Sequence, residues 1–205
     1  MDPDALHRAW RERDAEYSPR YYAYRGPDET SRTIADVIES KGLDEPSILE
    51  LGCSAGRHLA HLYEQGYRDL AGIDINAEAF EVMAETAPEL EATGTFYVDS
   101  IEDAVTDFDP GQFDVVFSVE TLQHIHHDQA WVFEAIAEAV GDLLVVVERE
   151  PADAVPSMDT PRTYVVDDIP LYYRDWGAIF TDLGLSLVET RDLGRDTLWA
   201  FGRDQ

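Results

Sequence analysis

The chain has 205 residues, enough for one domain with a real core, and its 43 acidic residues against 15 basic ones give a formal net charge of -28. No stretch reaches the ~18 apolar residues of a membrane span, no basic segment backed by an apolar run opens the chain, and the single cysteine, Cys53, rules out an intramolecular disulfide, so the expectation is a cytoplasmic protein off the membrane. So much negative charge repels nucleic-acid phosphates; with Lys41 as the sole lysine, it also points to a halophilic cytoplasm, where molar salt shortens the Debye length to ~3 Å and relieves the self-repulsion.

The first 28 residues read as a polar helix followed by an aromatic loop, in which Tyr17, Tyr21, Tyr22 and Tyr24 cluster. Ile34, Val37 and Ile38 stand at helical spacing, which predicts a helix over 31–40 closed by Gly42. SILEL is a short buried strand, and GRHLAHLYEQG a helix closed by Gly66. Next come a strand (DLAGID), a helix stopped by Pro88 (NAEAFEVMAETAP) and a strand (GTFYVD). FDVVFSV and DLLVVVE are strands on either side of the helix DQAWVFEAIAEAV. An irregular, proline-bearing stretch then covers 151–170, and LYYRDWGAIFTDLG reads as a helix. LSLVETRDL and TLWAFGR finish the chain as a strand pair around Gly194-Arg195-Asp196.

Strand-helix alternation of this kind builds a parallel sheet with helices on both faces. ILEL, DVVFSV and LLVVV are apolar without alternation, as strands covered on both sides should be. The expected fold is therefore α/β, doubly wound, with a mostly parallel seven-stranded sheet and an antiparallel C-terminal hairpin at one edge.

The stretch ILELGCSAGRHLAHL places a glycine-bearing turn between a strand and a helix. A phosphate-binding loop needs a Lys-Ser or Lys-Thr pair after its last glycine, and Arg57-His58 stand there instead. The dinucleotide fingerprint needs glycine at its second and third positions, which are Ser54 and Arg57. What remains is E-x-G-x-x-x-G, with Glu50 on the strand itself. A carboxylate there would repel a pyrophosphate and suit a ligand carrying ammonium and sulfonium charges.

These residues resemble motif I of the class I S-adenosylmethionine-dependent methyltransferases, with Ser54 in place of the usual central glycine. The resemblance continues at AGIDIN, where Asp74 matches the acid that binds the ribose hydroxyls and Ile75 the residue that packs on the adenine. Asp99 and Ser100 match the positions that recognise the adenine edge. FDVVFSVETLQHI matches the family's fourth strand and the turn that faces the methyl donor. The resemblance covers about residues 30–150 and implies a Rossmann-like fold with S-adenosylmethionine as cofactor. The implied cofactor-binding set is Glu50, Gly52, Cys53, Ser54, Gly56, Asp74, Ile75, Asp99, Ser100 and Val119, joined by Tyr21 if the N-terminal segment folds over the ligand. It also implies three parts of one domain: an arm or lid over 1–45, a cofactor-binding core over 46–150, and a lid segment, last helix and strand pair over 151–205.

His124 follows Leu122-Gln123 in that turn and is the candidate general base, since histidine titrates near neutrality. The cluster His124, His126, His127 and Asp128 invites a metal, but Asp128 reads more simply as a helix-start acid, and no metal is expected. Cys53 reads as a small packed residue, not a nucleophile. SVETLQH stands where base-modifying enzymes of the family carry an NPPY-like motif, and no Pro-Cys nucleophile is present, so the expected acceptor is a small molecule. A non-catalytic cofactor-binding relative, a protein or RNA methyltransferase, and a nicotinamide oxidoreductase are the alternatives. Neither the acceptor nor the oligomeric state can be read from the sequence.

Overall fold

A computed structural model of the protein describes residues 1–14, 16–149, 162–165 and 169–203. The apolar runs form β1 (Ile48–Leu51), β2 (Leu70–Asp74), β3 (Thr95–Val98), β4 (Phe113–Val119) and β5 (Val140–Arg149). Further along lie β6 (Arg162–Tyr164), β7 (Pro170–Tyr172), β8 (Ser186–Asp192) and β9 (Asp196–Gly202). Seven of them make one sheet in the order β3-β2-β1-β4-β5-β9-β8. The pairs from β3 to β5 are parallel, and β9 runs antiparallel to β5, with β8 antiparallel to β9 at the edge. The expected Rossmann-like, doubly wound sheet with its C-terminal hairpin is the one observed. From β1 the chain builds outward through β2 and β3, then returns to place β4 on the other side. That switch opens a crevice beyond the carboxyl ends of β1 and β4.

Alternate side chains of the strands leave opposite faces, and each face is covered. Leu49, Leu51, Val116, Leu144 and Val146 pack with α8 (Val132–Ala139) and α9 (Trp176–Asp182). Ile48, Val115, Phe117, Val145 and Val147 pack with α3 (Glu29–Lys41) and α4 (Arg57–Glu64).

The sequence reading differs from the structure at several joints. LYYRDWGAIFTDLG is not one helix: Pro170, Leu171 and Tyr172 form β7, which pairs with β6 in a separate two-stranded sheet. The helix starts only after Asp175, whose carboxylate accepts from the Ala178 amide. Within the supposed aromatic loop lies α2 (Pro19–Ala23), started by Ser18 as N-cap and Pro19 at the first helical position. Pro88 does more than end α5 (Glu78–Thr86), because it opens α6 (Pro88–Thr93). A short α7 (Ile101–Ala104), capped by Ser100, fills the gap before β4. Asp128 sits in a single 3-10 turn, and α8 begins later than expected. Of the stretch expected to be irregular, 151–161 and 166–168 lie outside the described residues.

Candidate active site

The turn after β1 is held in an unusual backbone. Gly52 and Gly56 have φ of 71° and 72°, and Ser54 has φ of 48°. Serine thus occupies a left-handed conformation that glycine takes at no steric cost. Two bonds fix it there: the Cys53 amide donates to the Ile73 carbonyl (2.8 Å), and the Ser54 amide donates to Asp74 Oδ2 (2.8 Å). The other Asp74 oxygen accepts from the Asn76 amide (2.8 Å). One carboxylate therefore ties the glycine turn to the end of β2.

Gly52 also lets the β1 turn approach the loop after β4, since a Cβ built on it would lie 2.3 Å from Thr121 Cγ2. Gly52→Ala combines that overlap with a positive φ. Its expected cost is about 2–3 kcal/mol of stability in denaturant unfolding, and a change below 0.5 kcal/mol would refute the tight approach.

These elements frame a cavity of about 190 Å³ at the carboxyl ends of the strands. Glu50, Gly52, Cys53, Ser54, Asp74 and Ile75 line one side. Asp99, Ser100, Val119 and His124 line it as well. Two members of the sequence-derived set do not. Gly56 stands behind the turn as the cap of α4. Tyr21 is turned outward, its ring under the Arg25 guanidinium at 4.2 Å and its hydroxyl accepting from the same arginine. Tyr17 and Tyr22 line the cavity in its place. Cys53 is buried, and burial pushes its thiol well above the ordinary range, which fits packing and not attack.

Glu50 is 1% exposed, and its Oε2 has no hydrogen-bond partner among the described residues. Burial raises its pKa well above the usual carboxylate range; nearby Arg57 opposes the shift and Asp74 adds to it. Burial also pushes Asp74 up to about 6, although the Asn76 and Ser54 amides favour its charged form. A buried and a half-buried carboxyl, with Arg57 nearby but paired to Asp28, make this part of the cavity a receptor for positive charge and hydroxyl donors.

The opposite half is built on the turn Leu122–His124. Glu148, fully buried near the end of β5, accepts from the Ser118 hydroxyl (2.9 Å) and from the amides of Thr121 (3.1 Å), Leu122 (2.9 Å) and Gln123 (3.2 Å). From the other side Arg174 donates to the Leu122 and Ile125 carbonyls. His124 Nδ1 lies 3.1 Å from the Pro170 carbonyl. A carbonyl only accepts, so the proton is on Nδ1 and Nε2 keeps its lone pair. Burial lowers the His124 pKa to about 4; Pro170 opposes, and Arg149 and Arg174 reinforce the shift. The imidazole is neutral at pH 7.

The roof comes from the N-terminal arm. From α1 (Pro3–Arg11), Leu6, His7 and Trp10 line the cavity. The Trp10 ring lies 4.7 Å from that of His124, and His7 Nε2 is 3.1 Å from Glu102 Oε1 across the cavity. Trp10, Arg149 and Glu148 were not singled out from the sequence. Away from the cavity, ligand atoms of His126, His127 and Asp128 lie within 4.8 Å of one another.

The family model described as "Methyltransferase domain" matches residues 48–142. A ubiquinone biosynthesis O-methyltransferase of Pectobacterium carotovorum is 31% identical over 101 residues, which is 49% of this chain and 41% of that protein. The match therefore spans less than half the length of that curated relative. Among solved structures, magnesium protoporphyrin IX methyltransferase from Synechocystis with bound S-adenosylhomocysteine covers 99% of this chain and 100% of its own, with a TM-score of 0.68 at 15% identity. A 1,6-didemethyltoxoflavin-N1-methyltransferase of Burkholderia thailandensis covers 86% of this chain and 79% of its own, with a TM-score of 0.67 at 13% identity. At those identities the structures speak to the fold alone, which they share with this chain. The matched segment holds β1 to the start of β5, with Glu50, Gly52, Asp74 and Asp99 on it; over that stretch, a little under half of its length, the chain is similar to a methyltransferase domain.

Proposed function

We propose that the protein transfers the methyl group of S-adenosylmethionine to a small-molecule acceptor, and that residues 1–205 work as one domain. In this division 1–45 form the arm or lid, 46–150 the cofactor core, and 151–205 the lid segment, last helix and strand pair. The observation that carries the reading is Glu50: a buried carboxyl oxygen without a partner among the described residues, between the glycine turn and Asp74. The cofactor fits this cradle. Its ammonium group would answer Glu50 and its ribose hydroxyls would answer Asp74. When bound, it supplies an electrophilic methyl on a sulfonium whose departure needs no acid.

The chain's own work is alignment and exclusion of water. Trp10, Tyr17 and Tyr22 cover the cavity from the arm. His124 Nε2, held in its tautomer by Pro170, takes the proton of an acceptor that loses one as it attacks. Transfer to a small molecule is also supported by a cavity roofed by the arm. An acidic surface and the absence of the base-modifying motif after β4 lend the same support.

Calorimetric titration of S-adenosylhomocysteine in molar KCl tests the reading. Micromolar binding is expected, and no heat from demonstrably folded protein would sink it. The same titration in buffers of different ionisation enthalpy reads protons. Below its raised pKa Glu50 is protonated in the free protein, and an ammonium beside it favours the carboxylate. Binding below that pKa should release up to one proton, and affinity should rise with pH as far as that pKa. Glu50→Gln should lose both the release and the pH dependence; equal heats in all buffers for the wild type would show that Glu50 does not meet the ammonium.

A further inference from the structure

We propose that Arg149 selects the acceptor, by binding a carboxylate on an otherwise apolar or aromatic small molecule. This rests on the methyltransferase reading above and names the acceptor class for the same cavity.

Arg149 is the last residue of β5 and lines the cavity. Its Nε is buried and has no hydrogen-bond partner among the described residues. Several arginines of this acidic chain are held by carboxylates, and others, such as Arg174 and Arg203, by backbone carbonyls. Arg20 is paired with Glu78 and Glu85, Arg57 with Asp28, Arg191 with Glu189, and Arg195 with Glu120. A guanidinium left with a buried, unbonded donor inside a cavity costs stability unless a ligand satisfies it.

A second donor points the same way. Trp10 Nε1 is also buried without a partner among the described residues, and it lines the same cavity. Trp10 lies against His124, and Arg149 is near enough to His124 to depress its protonation. Two unanswered N–H donors and the candidate base therefore cluster on the side away from Glu50 and Asp74. The cavity thus offers carboxyls beside the glycine turn, and unanswered donors and a cation beside His124.

The rest of the cavity wall fixes the class of ligand. Leu6, Ile125, Val165 and Leu171 line the cavity together with the Trp10 ring, so the body of the ligand is apolar or flat. The anion is singly charged. Of the arginines that line the cavity, Arg57 is held by Asp28 and Arg13 donates to the Glu16 carbonyl, which leaves Arg149, and Asp99, Glu102 and Glu120 line the same cavity and would repel a phosphate dianion. A planar carboxylate matches the guanidinium fork.

The test is a binding comparison on the S-adenosylhomocysteine complex in molar KCl, where exposed pairs are screened and a buried pair persists. The probes are salicylate, 4-hydroxybenzoate, cinnamate and indole-3-acetate, each against its own carboxamide. Acids are expected to bind at least tenfold more tightly than their amides. Arg149→Gln should erase that gap, Arg149→Lys should keep part of it, and both should hold S-adenosylhomocysteine within about twofold of wild type. Three results would each overturn the inference: acid and amide binding alike, no acid binding to protein that holds S-adenosylhomocysteine, or a gap that survives Arg149→Gln. Failure of S-adenosylhomocysteine itself to bind would instead bring down the methyltransferase reading and this inference with it.

Discussion

Glu148→Ala is expected to cost about 3 kcal/mol or more of folding stability. The wild-type carboxyl accepts from three consecutive amides and a hydroxyl, and no described element stands ready to replace it. Each buried donor left without an acceptor costs about 1–3 kcal/mol, and water entering the hole recovers part of that. The turn it holds carries His124, so methyl transfer should fall together with stability. A pH signature separates this from ordinary cavity formation. Burial pushes Glu148 up to about 7, although its four donors favour the charged form. A carboxyl whose folded pKa exceeds its unfolded value favours the fold while protonated, so this contribution to stability falls as pH rises from about 4.5 to about 7. Urea unfolding of wild type and variant across that range should show the component in the wild type and not in Glu148→Ala. Equal slopes together with a loss below 1 kcal/mol would show that the turn is held by Arg174 and packing alone.

The second large effect belongs to Asp74. Asp74→Ala is expected to weaken S-adenosylhomocysteine binding about 100-fold. Hydrogen bonds to a charged group contribute about 1.5–3 kcal/mol each, and about 1.4 kcal/mol is a factor of ten. Loss of the ribose contacts alone reaches that range. The variant also frees the Ser54 and Asn76 amides, so Ser54 has less to hold its left-handed backbone. Asp74→Asn, with one acceptor oxygen, should fall between wild type and alanine. Calorimetry that finds both variants within threefold of wild type would show that the carboxylate serves the turn and not the ligand.

The part of the cavity lined by Glu50, Gly52 and Asp74 was legible in the sequence because it is local. Glu50, Gly52 and Asp74 lie on strand-turn segments whose type follows from apolar runs and glycines, and the switch point brings their ends together. The part beside His124 was not. Trp10 reaches the cavity only because α1 folds back across the sheet, and the His7–Glu102 contact joins residues 95 apart. In the run Tyr21-Tyr22 nothing local tells which ring faces inward; the cap at Ser18 sets the phase of α2, and that cap had been read as loop. LYYRDW has helical composition, yet Leu171 and Tyr172 pair with β6, a few residues upstream, and that antiparallel pairing overrides propensity. Glu148 and Arg149 sat unnoticed in the charged string ERE, where burial alone distinguishes them from solvated surface.

Those two neighbours carry a further consequence. Successive residues of a strand leave opposite faces of the sheet, so the residue that holds the His124 turn and the residue that reads the acceptor are adjacent in the gene and separated in space. A replacement at position 149 changes which molecules enter, while the scaffold beneath the turn stays as it was. Position 148 has no such freedom, because three backbone amides and the Ser118 hydroxyl depend on its carboxylate. Substrate range in this chain can therefore drift one codon at a time, with its neighbouring codon pinned by the fold.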